Sequence, residues 1–218
     1  MPSTALILLA EGTEESEFTI TYDILVRAGI SVQSALVGSS STAPNPSSPH
    51  SASYVTCSRG VKIVPDLRLP DLAGGKALDY DALIIPGGAK GAETLSGNED
   101  VQKLISALYA RGKVVAAICA GSLAVKQAGV GRDSAITSHP SVKGQLDKEY
   151  TYKEERVVVA DNLITSRGPG TTFEFALTIV EALVGKEKRK EIEPPLMLPS
   201  SSLAAAGSSP DQVQPSVS

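Results

Sequence analysis

Tryptophan is absent from this sequence, and aromatic residues make up only 4% of it. Broad stacking platforms for bases or sugars are therefore not expected. Cysteine is nearly missing too. Cys57 and Cys119 are too few for a disulfide framework or a structural zinc site, and they fit a reducing compartment. Basic residues are not in excess: 20 Lys+Arg against 24 Asp+Glu leave a formal charge of -4. That balance argues against nucleic acid or a membrane surface as partner. No apolar run approaches the roughly 18 residues a spanning helix needs. Residues 5–10 look like a short signal core, but no basic residue precedes Arg27, and about six residues fall below the roughly 7–15 of a signal h-region. They read as a buried strand. A cytoplasmic location is expected, with the nucleus as a second compartment.

What remains is ample for one domain: 218 residues, 42% hydrophobic. Strand-like and helix-like segments alternate. Residues 6–9 form a continuous apolar run, as in a parallel strand covered on both faces. A helix follows over residues 14–28, with Thr13 as N-cap and Gly29 as stop. Strands are expected at 31–37, 82–85 and 114–118, with helices at 100–109 and 122–128. Residues 157–160 and 163–165 read as a hairpin around Asp161-Asn162. A last helix spans 171–184, with Phe173, Ala176, Leu177, Val180 and Leu183 at helical spacing. This order predicts an α/β fold, a doubly wound and mostly parallel sheet sandwiched by helices. Ligands bind such sheets at the C-terminal ends of the strands. The domain is expected over residues 1–198, with a Ser/Pro-rich insertion at 38–53 and a disordered tail at 199–218. The charged run at 186–190 reads as a solvated helix end rather than a targeting signal.

Chemistry concentrates at strand ends. In Val114-Val115-Ala116-Ala117-Ile118-Cys119-Ala120-Gly121-Ser122 a buried strand runs into a tight turn, and a helix starts at once. This is the layout of a nucleophile elbow with cysteine in place of serine. The helix N-terminus is expected to lower the thiol pKa from about 8.5 towards neutrality. A buried small hydrophobe is the alternative reading of the same cysteine. Glu14 and Glu15 read as acids complementing the helix dipole. Glu17 differs because it shares a face with Ile20, Thr21 and Ile24, so a partner or a raised pKa must compensate its burial. His50 lies in the Ser/Pro-rich stretch, which leaves His139 as the imidazole available to the thiol. After strand 82–85, Gly87 and Gly88 allow backbone N–H groups to approach a ligand, as an oxyanion hole requires. A plain turn is the alternative. The dinucleotide fingerprint G-x-G-x-x-G is absent.

Together these segments resemble the DJ-one/PfpI superfamily, specifically the branch of the parkinsonism-associated protein. The matching stretches are A-E-G-T-E-E-S-E-F, C-S-R-G-V, L-I-I-P-G-G-A-K-G-A, V-A-A-I-C-A-G, T-S-H-P and T-S-R-G-P-G-T-T-F-E-F-A-L-T-I-V-E-A-L, in order between Thr4 and Leu198. The resemblance implies a flavodoxin-like fold, related to class I glutamine amidotransferases. It makes Cys119 the reactive, oxidation-prone cysteine, Glu17 the carboxyl bonded to it and His139 its neighbour. Gly88 and Ala120 would supply the oxyanion N–H groups, and Arg27 and Arg59 would stand near the pocket and a homodimer contact. Cys57 would be peripheral, while Val64 replaces a further cysteine of some members. Ala120 departs from the peptidase-like branch, which has histidine there. The implied activity is a glutathione-independent glyoxalase of D-lactate dehydratase type and a protein deglycase, acting on a small dicarbonyl substrate without metal or organic cofactor. The rival is a redox sensor or chaperone acting through oxidation of Cys119.

Overall fold

The computed structural model describes residues 2–38 and 53–199. All but two residues of the Ser/Pro-rich stretch (38–53), His50 and the tail from residue 200 lie outside them.

Eleven strands occur among the described residues: β1 (Thr4–Leu9), β2 (Ser31–Leu36), β3 (Val55–Thr56), β4 (Lys62–Ile63), β5 (Leu67–Arg68), β6 (Ala82–Ile85), β7 (Val114–Ile118), β8 (Ala135–Ile136), β9 (Thr151–Tyr152), β10 (Val157–Ala160) and β11 (Leu163–Ser166). The helices are α1 (Glu15–Arg27), α2 (Ala89–Gly97), α3 (Glu99–Ala110), α4 (Ser122–Gln127), α5 (Lys143–Leu146), α6 (Thr172–Val184) and α7 (Lys186–Ile192). Seven strands form one sheet in the order β10-β11-β7-β6-β1-β2-β5. Every pair in it is parallel except the β10–β11 hairpin, where Ala160 faces Leu163. The expected doubly wound sheet is therefore present. From β1 the chain steps to β2 on one side and later to β6 on the other, which opens a crevice at the strands' C-terminal ends.

Residue alternation explains the layers. Leu6 and Leu8 of β1 enter one apolar cluster with Leu95, Ile105, Leu108 and Val125 from α2, α3 and α4. Ala5, Ile7 and Leu9 enter the opposite cluster with Phe18, Ile24, Phe175 and Leu177 from α1 and α6. Successive strand side chains point to opposite faces, so a strand buried on both sides must be apolar throughout. Each fully buried Leu or Phe contributes about 1.5–3 kcal/mol.

Local expectations mostly stand, with informative exceptions. Thr13 is not the cap of α1: Glu14 occupies that position without a side-chain bond, and the Thr13 hydroxyl accepts the Ala10 N–H at 3.0 Å. That bond closes the β1–α1 turn instead. Gly29 does stop the helix, at φ 79°. The charged run at 186–190 is the body of α7, laced by Lys188–Glu191, Lys190–Glu187 and Arg189–Glu181 pairs.

Candidate active site

Loops after β1, β6 and β7 meet at the crevice. Cys119 follows β7 directly and has φ 61°, a left-handed conformation that L-residues adopt only under constraint. Two residues on, Gly121 packs against the end of β6. A Cβ on Gly121 would lie 2.4 Å from the Ile85 carbonyl oxygen and 2.7 Å from that of Pro86. Only glycine lets α4 start so close to the end of β6. The elbow read from the sequence is thus built by two adjacent strands.

Glu17 lies in the first turns of α1 and is fully buried. Its Oε2 accepts the Gly87 N–H at 2.7 Å. Gly87 itself is pressed between the two reactive groups: a Cβ there would lie 2.8 Å from Glu17 Oε2 and 3.0 Å from Cys119 Sγ. Gly88 has φ 87°, and a Cβ on it would collide with the Gly12 carbonyl at 2.2 Å. Neither glycine can be replaced without moving backbone. The Gly87 N–H is engaged by the carboxyl, so the N–H groups directed at the sulfur are those of Ala120 and Gly88.

The electrostatics reverse one sequence expectation. Burial, then the Glu17 carboxylate, pushes the Cys119 thiol up to about 12, although the Ala120 and Gly88 N–H groups favour its ionised form. The short α4 does not outweigh a carboxylate at this range. Burial likewise raises Glu17 to about 7, opposed by its bonds to the Gly87 N–H and the Cys119 thiol. The two acids act as one unit. A proton on Glu17 removes the charge that opposes the thiolate, so the pair holds a single negative charge most readily.

Residues 3–182 match the DJ-1/PfpI family. The chain belongs to the DJ-1/PfpI family. It is 43% identical to Drosophila melanogaster Protein DJ-1alpha, over 86% of this chain and 81% of that protein. It is also 40% identical to the Caenorhabditis elegans glutathione-independent glyoxalase DJR-1.2, over 89% of this chain and 96% of the relative. The crystal structure of Drosophila melanogaster DJ-1beta superposes with a TM-score of 0.80 at 39% identity, covering 92% of this chain and all of that one.

Other residues that DJ-1/PfpI membership brings to attention are spread more widely. His139 is exposed; its main-chain N–H donates to the Cys119 carbonyl at 3.3 Å, but its Nδ1 bonds the Ser141 hydroxyl at 2.8 Å and accepts the Ser141 N–H at 3.2 Å. That arrangement places the ring proton on Nε2. Arg27 is at the far end of α1, about 15 Å along the axis from Glu17, and pairs with Asp23 at 2.7 Å. Arg59 is exposed, and its main-chain N–H donates to Glu15 at 2.8 Å. Neither arginine is shown bonded to the elbow within one chain. Glu14 and Glu15 do more than complement a dipole: the Ser58 hydroxyl lies 2.6 and 2.8 Å from their carboxylates and ties the β3–β4 hairpin to α1. Forty-odd intervening residues hid that contact from the sequence. Cys57 is buried, and burial and the nearby glutamates push its thiol up to about 11. Among the described residues no group of three or more His, Cys, Asp or Glu side chains is placed to hold a metal, and no helix is long and apolar enough to cross a membrane.

Proposed function

We propose that this protein is a glutathione-independent glyoxalase that converts methylglyoxal to lactate. The observation that carries the reading is the buried Glu17 carboxyl, raised to about 7 and coupled to the Cys119 thiol. A group with that affinity for protons both accepts and returns one near neutral pH. Two relatives, from Caenorhabditis elegans and Schizosaccharomyces pombe, carry the name glutathione-independent glyoxalase.

In this mechanism the sulfur attacks the aldehyde carbon, and its proton passes through Glu17 to the new oxyanion, leaving a neutral hemithioacetal. The Gly88 and Ala120 N–H groups stabilise the oxyanion as it forms. The Glu17 carboxylate then removes the hydrogen on the former aldehyde carbon as a proton. Glu17 hands that proton to the ketone oxygen, giving an enediol; the hydroxyl proton on the sulfur-bearing carbon then passes through Glu17 to the neighbouring carbon, leaving a thioester. His139, with its proton on Nε2, assists at the mouth. Water cleaves the resulting thioester, so methylglyoxal plus one water gives lactate and the free thiol. Residue chemistry supplies every step. Deglycation of proteins starts at the hemiaminal carbon of a dicarbonyl adduct, where the sulfur displaces the protein amine, protonated as it leaves, and gives the same hemithioacetal. Arg27 and Arg59 act across a homodimer contact, a reading supported by half-exposed Val26 and Val61 beside them.

The decisive assay supplies methylglyoxal without glutathione and measures lactate for wild type, Cys119→Ser and Glu17→Gln. Both variants are expected to lose about 10²-fold or more. Equal turnover by wild type and Cys119→Ser would end the covalent scheme. A second reading, a redox sensor working through Cys119 sulfinate, draws on the solved structure of oxidized Toxoplasma gondii DJ-1, 30% identical to this chain. Peroxide titration read by intact mass, beside the lactate assay, separates the two.

A further inference from the structure

Arg167 takes no part in the scheme above, yet it occupies the same rim. Ser166 at the end of β11 pairs in register with Ile118, so Arg167 is the next position beside Cys119. Strand alternation puts Arg167 on the face of Thr165, whose hydroxyl accepts the Thr137 N–H at 3.0 Å. The following residue, Gly168, packs on the imidazole: a Cβ there would lie 3.6 Å from His139 Cδ2. The backbone on either side of the arginine therefore adjoins residues 137–139. Its Nη1 is buried and has no hydrogen-bond partner among the described residues, and the same holds for the Thr137 hydroxyl. Glu154 is the carboxylate that responds to the Arg167 charge, but its own bond goes to Lys143 at 2.7 Å.

A guanidinium only donates, and a buried donor without an acceptor is costly unless a ligand supplies one. The acceptor that matches its fork is a carboxylate. We infer that Arg167 is a specificity-determining residue that binds a carboxylate on the far end of the α-oxoaldehyde whose aldehyde carbon Cys119 attacks, so that the preferred substrates are anionic. This rests on the glyoxalase reading for its chemistry and on Arg167 alone for its selectivity.

The test compares methylglyoxal, which is neutral, with γ,δ-dioxovalerate, an α-oxoaldehyde ending in a carboxylate, in wild type, Arg167→Met and Arg167→Lys. Arg167→Met is expected to raise KM for γ,δ-dioxovalerate about tenfold, with kcat and both methylglyoxal constants within about twofold. Arg167→Lys keeps the charge and recovers part of the loss. Equal effects on both substrates, or none, overturn the proposal, because a purely structural arginine would not tell them apart. Levulinate, the same skeleton without the aldehyde, separates this failure from failure of the glyoxalase reading. It should protect wild-type Cys119 from iodoacetamide, and the half-protecting concentration should rise about tenfold in Arg167→Met even if neither aldehyde is turned over. Absent protection, or protection unchanged by the substitution, overturns the assignment.

Discussion

Glu17 holds the Gly87 N–H at 2.7 Å, and that one bond orients the carboxyl towards Cys119 beyond the C-terminal ends of β1 and β6. It joins a helix that starts after the first strand to a loop 70 residues later. The bond also spends the first of the two glycine N–H groups, so an oxyanion is left with Gly88 and Ala120.

The stability of the fold should depend on pH through Glu17. Its pKa is about 7 in the folded chain against an ordinary carboxyl value of 4.5, so the folded state holds the proton more tightly. The stability linked to that proton is fully present below about 4.5 and is lost as pH rises through 7. The loss approaches about 3 kcal/mol. Glu17→Gln keeps an acceptor for the Gly87 N–H and removes the charge. It should melt roughly 5–10 °C above wild type near pH 8 and level with it near pH 4.5. Thermal unfolding at the two pH values checks this, and an equal offset at both would contradict it.

Thiol reactivity should divide sharply between the two cysteines. The Glu17 carboxylate holds the Cys119 thiol up, so Glu17→Gln should move its iodoacetamide rate profile to lower pH. Cys57 is buried under a cluster of glutamates and should stay unlabelled in the native protein. Mass spectrometry of labelled peptides across pH reads both effects. Faster labelling of Cys57 than of Cys119 would refute the assignment of the reactive sulfur.

Glycine at positions 88 and 121 should resist even alanine. At Gly88 the methyl would meet the Gly12 carbonyl at 2.2 Å on a positive-φ backbone; at Gly121 it would meet the Ile85 carbonyl at 2.4 Å. Both obstacles are backbone and cannot rotate away. Each substitution should cost about 2–4 kcal/mol, measured by urea unfolding. Gly170, where nothing lies within 4 Å, serves as the permissive control.

The imidazole should matter less than the carboxyl. His139 spends Nδ1 on Ser141, and the groups acting on the sulfur are Glu17, Ala120 and Gly88. His139→Ala should reduce lactate formation by about tenfold, well short of the loss from Glu17→Gln. Comparable losses would place the imidazole at the centre of proton transfer.

Much of this was written in the chain itself. The unbroken apolar runs of β1, β6 and β7 announced strands covered on both faces, and Gly29 announced where α1 ends, because burial and backbone freedom are properties of residues and their neighbours. The elbow was legible for the same reason: small residues on either side of Cys119 mark a turn with no room. Contacts between distant segments were not legible. Thr13 was misread as a cap because serine and threonine at a helix start have two local uses, and the β1 turn took this one. The thiol's proton affinity was misjudged because a helix end is visible in sequence, whereas the burial of Glu17 and its approach to sulfur are not. Only the folded sheet decides that the second glycine N–H faces sulfur while the first serves the carboxyl, since hydrogen bonds depend on directions that spacing along the chain does not encode.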